Sequence, residues 1–372
     1  MPATFDPTFA QLLGFESETR LFELRIEDIG APLAVEGFVM REELSTLFEM
    51  DLMLLSPSAH IELSDLLHRQ ISLLTRLADG THIARSGYIT AAAYLDFDGA
   101  LSRYRLRVSP WLWYSTLASH NRVFQDKFLL DIIDAVFAEY APRMAWRATA
   151  DVSSFLEGVP ARSYCVQYNE SDYDFIARLL AESGLGFYFE EKDVTTPGTL
   201  PGETPQQQLV IFASSSEFPE DYSSVHDNGG RGIRFHGARS QEDQDAIQVF
   251  NTQQMFQPAI TTLASYDYKS KRILTSSLPS QHIGGSHAPQ LEAYDYTGAY
   301  TFANLDQPHV PHAYYAKRQK RASPAIAASP ACAPSAPAMH LISRKARWMH
   351  RVRPPLSIAL PSPASPMPVL TT

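Results

Sequence analysis

The apolar and polar positions of the first hundred residues alternate with a period of two. Phe22, Leu24 and Ile26 are interleaved with Glu23, Arg25 and Glu27, the pattern of a strand with one face in a core and one in water. Tyr104, Leu106 and Val108, interleaved with Arg103, Arg105 and Arg107, repeat it. Gly99, after Asp96-Phe97-Asp98, suits the turn before that strand. Between these two, residues 49–55, 71–77 and 83–94 read as further strands, broken by Pro57 and Asp79-Gly80. This is the pattern of a barrel or sandwich and not of a βαβ array.

The period then changes to that of a helix. Leu129, Ile132, Ile133, Val136, Phe137 and Tyr140 form one apolar stripe, predicting a helix within 127–140 that Pro142 ends. A second helix is predicted to open at Ser171, an N-cap with the Asp174 carboxylate in the first turn. Phe175, Ile176, Leu179 and Leu180 are its buried face. Gly184 ends it, and residues 185–189 read as the following strand. Residues 164–190 are thus one αβ unit. The Thr-, Pro- and Gln-rich stretch 195–208 is a loop, and 231–235, 246–251 and 261–268 are candidate strands with Gly229-Gly230 and Pro258 at turns. The expected organisation is a first barrel-like subdomain over 1–150, a second over 151–322, and a tail over 323–372.

The tail differs in composition. It holds ten of the 26 prolines and neither a glycine nor an acidic residue, which predicts no packed core. Charge divides at nearly the same point. Residues 1 to 306 carry 22 Lys/Arg against all 41 Asp/Glu, a formal charge of −19, and such a body repels phosphate backbones. No nucleic-acid partner is expected. The first basic residue is Arg20, which predicts no signal peptide, and no apolar run approaches the about 18 residues of a membrane span. Cys165 and Cys332 have no second sulfur at metal or redox spacing, so synthesis in a reducing cytoplasm is expected.

Two stretches carry a family resemblance. Tyr164-Cys165-Val166-Gln167-Tyr168-Asn169-Glu170-Ser171-Asp172-Tyr173-Asp174-Phe175, continuing through Arg178-Leu179-Leu180 to Gly184, resembles the signature of the VgrG spike proteins of type VI secretion. Trp111-Leu112-Trp113-Tyr114, running on through Phe124-Gln125-Asp126-Lys127, is similar to the family segment before its first long helix. A third match, Tyr294-Asp295-Tyr296 with Tyr300, resembles a late family strand. The resemblance implies a mainly β, phage tail hub-like fold with inserted helices, in which three chains ring an axis and cap a hexameric tube. It also implies export by the secretion apparatus and contact with effector or adaptor proteins. For the oligonucleotide/oligosaccharide-binding-fold domain and β-helix needle that follow in family members, no counterpart is expected in this sequence. The tail is therefore expected to be disordered or frameshifted, with a break near residues 319 to 323.

Chemistry adds little. The sequence has no Gly-x-Ser-x-Gly elbow, His-Glu-x-x-His helix, phosphate loop or Cys-x-x-Cys pair, and Gly230-x-Gly232 reads as a turn. His282 and His287 with Glu292 match no standard zinc spacing. No metal or cofactor is expected. Arg103, Arg105 and Arg107 read as a solvated or salt-bridged face, and Trp111, Trp113 and Tyr114 as core or interface in preference to a sugar platform. The signature residues Tyr164, Gln167, Tyr168, Ser171, Asp172, Phe175, Leu179, Leu180 and Gly184, with Trp111, Phe124, Gln125, Asp126 and Lys127, are assigned packing and capping roles. Tyr164, Val166 and Tyr168 form one face of a strand. The rival readings are a phage tail hub on a virion and a secreted cell-wall hydrolase. The hydrolase would need a pair such as Glu190 and Glu191, which a strand points to opposite faces.

Overall fold

The computed structural model describes residues 22–26, 29, 31–76, 82–192, 206–214, 218, 234–235, 246–252, 258–279, 291–299 and 326–330. Six strands form the first layer: β1 (Phe22–Ile26), β2 (Ala34–Arg41), β3 (Glu49–Ser56), β4 (Gln70–Arg76), β5 (His82–Phe97) and β6 (Ser102–Ser109). Their spatial order is β1-β4-β5-β6-β3-β2, and every pairing is antiparallel. The outer strands of this order curl toward one another, and Phe22 of β1 meets Phe38 of β2 edge to face at 5.4 Å. The sheet is therefore an open barrel with an aromatic pair at its seam.

Strand alternation fills the barrel. Met50, Leu52 and Leu54 of β3 point inward with Ile71, Leu73, Ile89, Tyr104, Leu106 and Val108. Each such side chain contributes about 1.5–3 kcal/mol by leaving water. The intervening residues pair outside: Arg107 makes a two-pronged contact to Asp51 at 3.1 and 3.2 Å, and Arg103 reaches Glu36 and Asp96. Two of the three arginines of the basic stripe are thus salt-bridged, and Arg105 is exposed. At the β5–β6 turn, Gly99 takes φ 95, and Asp98 Oδ1 accepts hydrogen bonds from the Ala100 and Leu101 amides. A short helix, α1 (Leu63–Leu66), connects β3 to β4.

The second layer mixes helix and strand. A 3₁₀ turn over Trp111–Thr116 leads to β7 (Ser119–Phe124), α2 (Leu129–Phe137), β8 (Trp146–Ala148), α3 (Ala150–Phe155), β9 (Cys165–Ser171), α4 (Asp172–Glu182), β10 (Gly186–Lys192) and β11 (Gln206–Phe212). β7 pairs with β9, and β10-β11-β8 form a second sheet. The predicted helix within 127–140 is α2 plus a 3₁₀ turn over Ala138–Tyr140. Its stripe packs with Phe175 and Leu179 of α4 and Leu209 of β11. The apolar face of α2 thus packs in the second layer, in a cluster that also takes in Phe48 and Tyr88 of the first. The expected loop over 195–208 is cut short, since β11 begins at Gln206 and pairs with β10. Its earlier part lies outside the described residues.

Further on, β12 (Arg234–Phe235), β13 (Ala246–Thr252) and β17 (Ile326–Pro330) form one three-stranded sheet. β14 (Ile260–Asp267), β15 (Arg272–Pro279) and β16 (Glu292–Ala299) form another. The sequence pattern did not predict β15. β17 falls within the expected tail, where it pairs antiparallel with β13. Residues 231–233, Gly229-Gly230, His282, His287, Tyr300, Cys332 and the rest of the tail lie outside the described residues.

Candidate functional site: the signature strand and helix

The signature folds as β9 running directly into α4. Ser171 caps the helix, its Oγ accepting from the Asp174 amide at 3.0 Å and donating to Asp174 Oδ2 at 2.7 Å. Phe175, Leu179 and Leu180 are buried, and Gly184 closes the helix at φ 75. Phe124 of β7 stacks on Phe175 with centroids 5.8 Å apart. Trp111 is fully buried, donating from Nε1 to the Ala145 carbonyl and packing edge to face on Phe137.

The strand's buried face carries Cys165 and Gln167, and its tyrosine face is turned outward. Tyr164 and Tyr168 are 63% and 77% exposed, whereas Cys165 and Gln167 are buried. The reason is polar. Gln167 is needed inside, where its Nε2 donates to Asp172 Oδ1 at 2.7 Å. Gln125, Asp126 and Lys127 are exposed on the turn after β7, where Asp126 takes φ 51 and the Lys127 and Arg162 backbones exchange hydrogen bonds.

Asp172 is the centre of the arrangement. Its side chain is sealed from solvent, yet it accepts from His120 Nδ1 at 3.0 Å, Arg122 Nη2 at 3.2 Å and Tyr140 Oη at 2.7 Å as well as from Gln167. Burial raises the carboxyl's pKa, but the bonds from Gln167, Tyr140 and His120 and the Arg122 charge together hold it below the ordinary aspartate value. Tyr140 is displaced upward, first by burial and then by its bond to Asp172. Beside this network, Arg178 grips Glu170 through two nitrogens at 2.6 and 3.1 Å and also reaches Glu182 and the Val166 carbonyl. Its guanidinium lies 5.3 Å from the Phe175 ring centre.

His120, Glu139 and Asp172 bring ligand atoms within 4.8 Å of one another, the spacing of a metal site. Arg122 already stands among them, 2.8 Å from Glu139 and 2.5 Å from His120 Nδ1. A divalent ion would have to displace this guanidinium, so the donor set is an ion-pair network whose cation is a side chain. Glu190 and Glu191 do not form a catalytic pair. Glu190 binds Arg147 at 2.7 Å on one face of β10, and Glu191 turns inward to the Ser86 amide.

Sequence reasoning missed His120, Arg122 and Glu139 as partners of Asp172. β7 and β9 meet across about fifty residues of chain, for example Arg122 opposite Gln167, and no local spacing encodes that pairing.

A barrel joined to an αβ layer is the architecture that holds the signature strand and helix. The chain belongs to the phage tail baseplate hub (GPD) family, whose profile matches residues 41–329. It is 29% identical over 283 residues to the type VI secretion system spike protein VgrG4b of Pseudomonas aeruginosa, covering 75% of this chain and 31% of that protein. Against VgrG5 of the same organism it is 28% identical over 285 residues, covering 75% and 32%. The chain thus spans about a third of the length of these relatives. Among solved structures it is similar to an E. coli component of the type VI secretion system (TM-score 0.48, 19% identity, 76% and 68% covered). A tail protein from Neisseria meningitidis gives 0.49 at 13% identity, with 81% and 76% covered.

Proposed function

We propose that this chain is a structural hub of a type VI secretion spike: three copies ring an axis, cap the end of a hexameric tube and join it to an effector or adaptor. The observation that carries the reading is the hub-family match over 41–329, most of the barrel and the whole αβ layer. Two features support it. The signature residues of β9 and α4 are consumed in capping, stacking and ion pairs, which leaves them structural work and no nucleophile with a base. The acidic body disfavours nucleic acid. The protein catalyses no reaction and travels with the apparatus that exports it.

Mixing the purified chain with preassembled tubes and imaging their ends tests this. Density of threefold symmetry on one end of each tube is expected, and tubes with bare ends at saturating protein would overturn it. The phage-hub reading shares this architecture, and genes for a secretion sheath and ATPase beside this one separate the two.

A further inference from the structure

The barrel meets the αβ layer through a second set of buried polar groups, distinct from the Asp172 network. Glu42, just after β2, and Arg85 and Ser86 of β5 are buried, as is Gln207 of β11. Gln207 stands directly opposite Glu191 of β10 in the strand register. Both address one residue of the barrel: Glu191 Oε1 accepts from the Ser86 amide, and Gln207 Nε2 donates to the Ser86 carbonyl at 3.1 Å. Arg85 lies close enough to act on the Glu42 and Glu191 carboxyls alike. β11 contributes only the uncharged Gln207 to this set.

Two imbalances follow. Two carboxyls face one guanidinium, so the fully ionised set would leave an uncompensated negative charge away from water. Three acceptor oxygens, Glu42 Oε2, Glu191 Oε2 and Gln207 Oε1, are also sealed from solvent without a donor among the described residues. Glu191 as a residue is half-buried, but this oxygen is not reached by water. One carboxylic O–H would remove the excess charge and reduce the shortage of donors, because it takes away one acceptor and supplies one donor.

We propose that Glu42 and Glu191 retain one proton between them, and that this proton locks the joint between the barrel and the αβ layer. Burial pushes Glu191 up to about 7 against the pull of Ser86 and Arg85, and burial raises Glu42 as well. When the joint opens to water, both carboxyls return to ordinary values and the proton leaves. The joint is therefore tightest in mildly acidic solution. Its opening becomes easier as pH rises from about 4.5 to about 7, and above that no further change is expected.

Hydrogen exchange on the full chain reads this directly. The reporters are the Ser86 amide and the Phe187 amide, which bonds Ser45 Oγ across the same joint; Ile132 in α2 is the control. Protection at Ser86 and Phe187, corrected for intrinsic exchange, should fall roughly tenfold per pH unit between about 5 and 7 and then level off. The fall should be clearly shallower over that range in Glu191→Gln, and Ile132 should stay flat in both proteins. Equal slopes in the two proteins, or no slope in the natural one, would overturn the proposal. Carbon-13 carboxyl shifts of the unmutated protein decide the matter independently of the variant. One glutamate with a midpoint near 7 supports the proton lock, and every midpoint at or below about 5 removes it.

Discussion

Asp172 and Glu191 are both carboxyls turned away from water, and the chain treats them in opposite ways. Asp172 receives four donors, from His120, Arg122, Tyr140 and Gln167, and is held as an anion. Glu191 has the Ser86 amide for one oxygen and no partner for the other. The first site lies inside one layer, where the signature strand, β7 and the turn after α2 each aim a donor at the start of α4. The second lies between layers, where β2, β5, β10 and β11 contribute by side and not by design of one motif. Burial pushes both carboxyls upward. The supply of donors decides whether a buried carboxyl stabilises as a charge or as an acid.

That contrast breaks most visibly at Asp172. Asp172→Ala leaves Arg122 without its buried partner and should cost about 3–5 kcal/mol in denaturant unfolding, or prevent folding. A loss under 1 kcal/mol would mean the network is ornamental. The pH dependences of the two sites have opposite sign. Asp172, with a lowered pKa, contributes stability above its ordinary value near 3.8 that disappears as pH falls through its folded value. Glu191, raised from 4.5 to about 7, should instead weaken the fold by about 3 kcal/mol as pH rises across that interval. Glu191→Gln should flatten this limb of the stability curve and leave the acid limb in place. Smaller effects sharpen the picture around the signature. Ser171→Ala removes the cap and should cost about 1 kcal/mol by the same measurement. Arg107→Ala breaks a half-exposed pair on the barrel's outer face, and about 0–1 kcal/mol is expected.

Much of this was legible in the chain itself. Alternation in β3 and β6, the α2 stripe, the Ser171 cap and the Gly184 stop are local patterns, and each element formed where its pattern lies. What escaped depends on contacts between distant segments. β9 shows its tyrosines to solvent because Gln167 must face Asp172, a demand set by α4 and β7 together. Arg122 and Glu139 carry no local signal of their pairing, which forms only where β7 and the turn after α2 meet beside Asp172. Glu191 was legible only as the half of a pair that points away from Glu190.

The central claim, that these residues serve assembly and not catalysis, is tested most directly by the mass of the purified chain in light scattering. A stable particle of three times 41.5 kDa is predicted, since a closed ring is the form a hub requires. A particle that stays at 41.5 kDa across the accessible concentration range would contradict it.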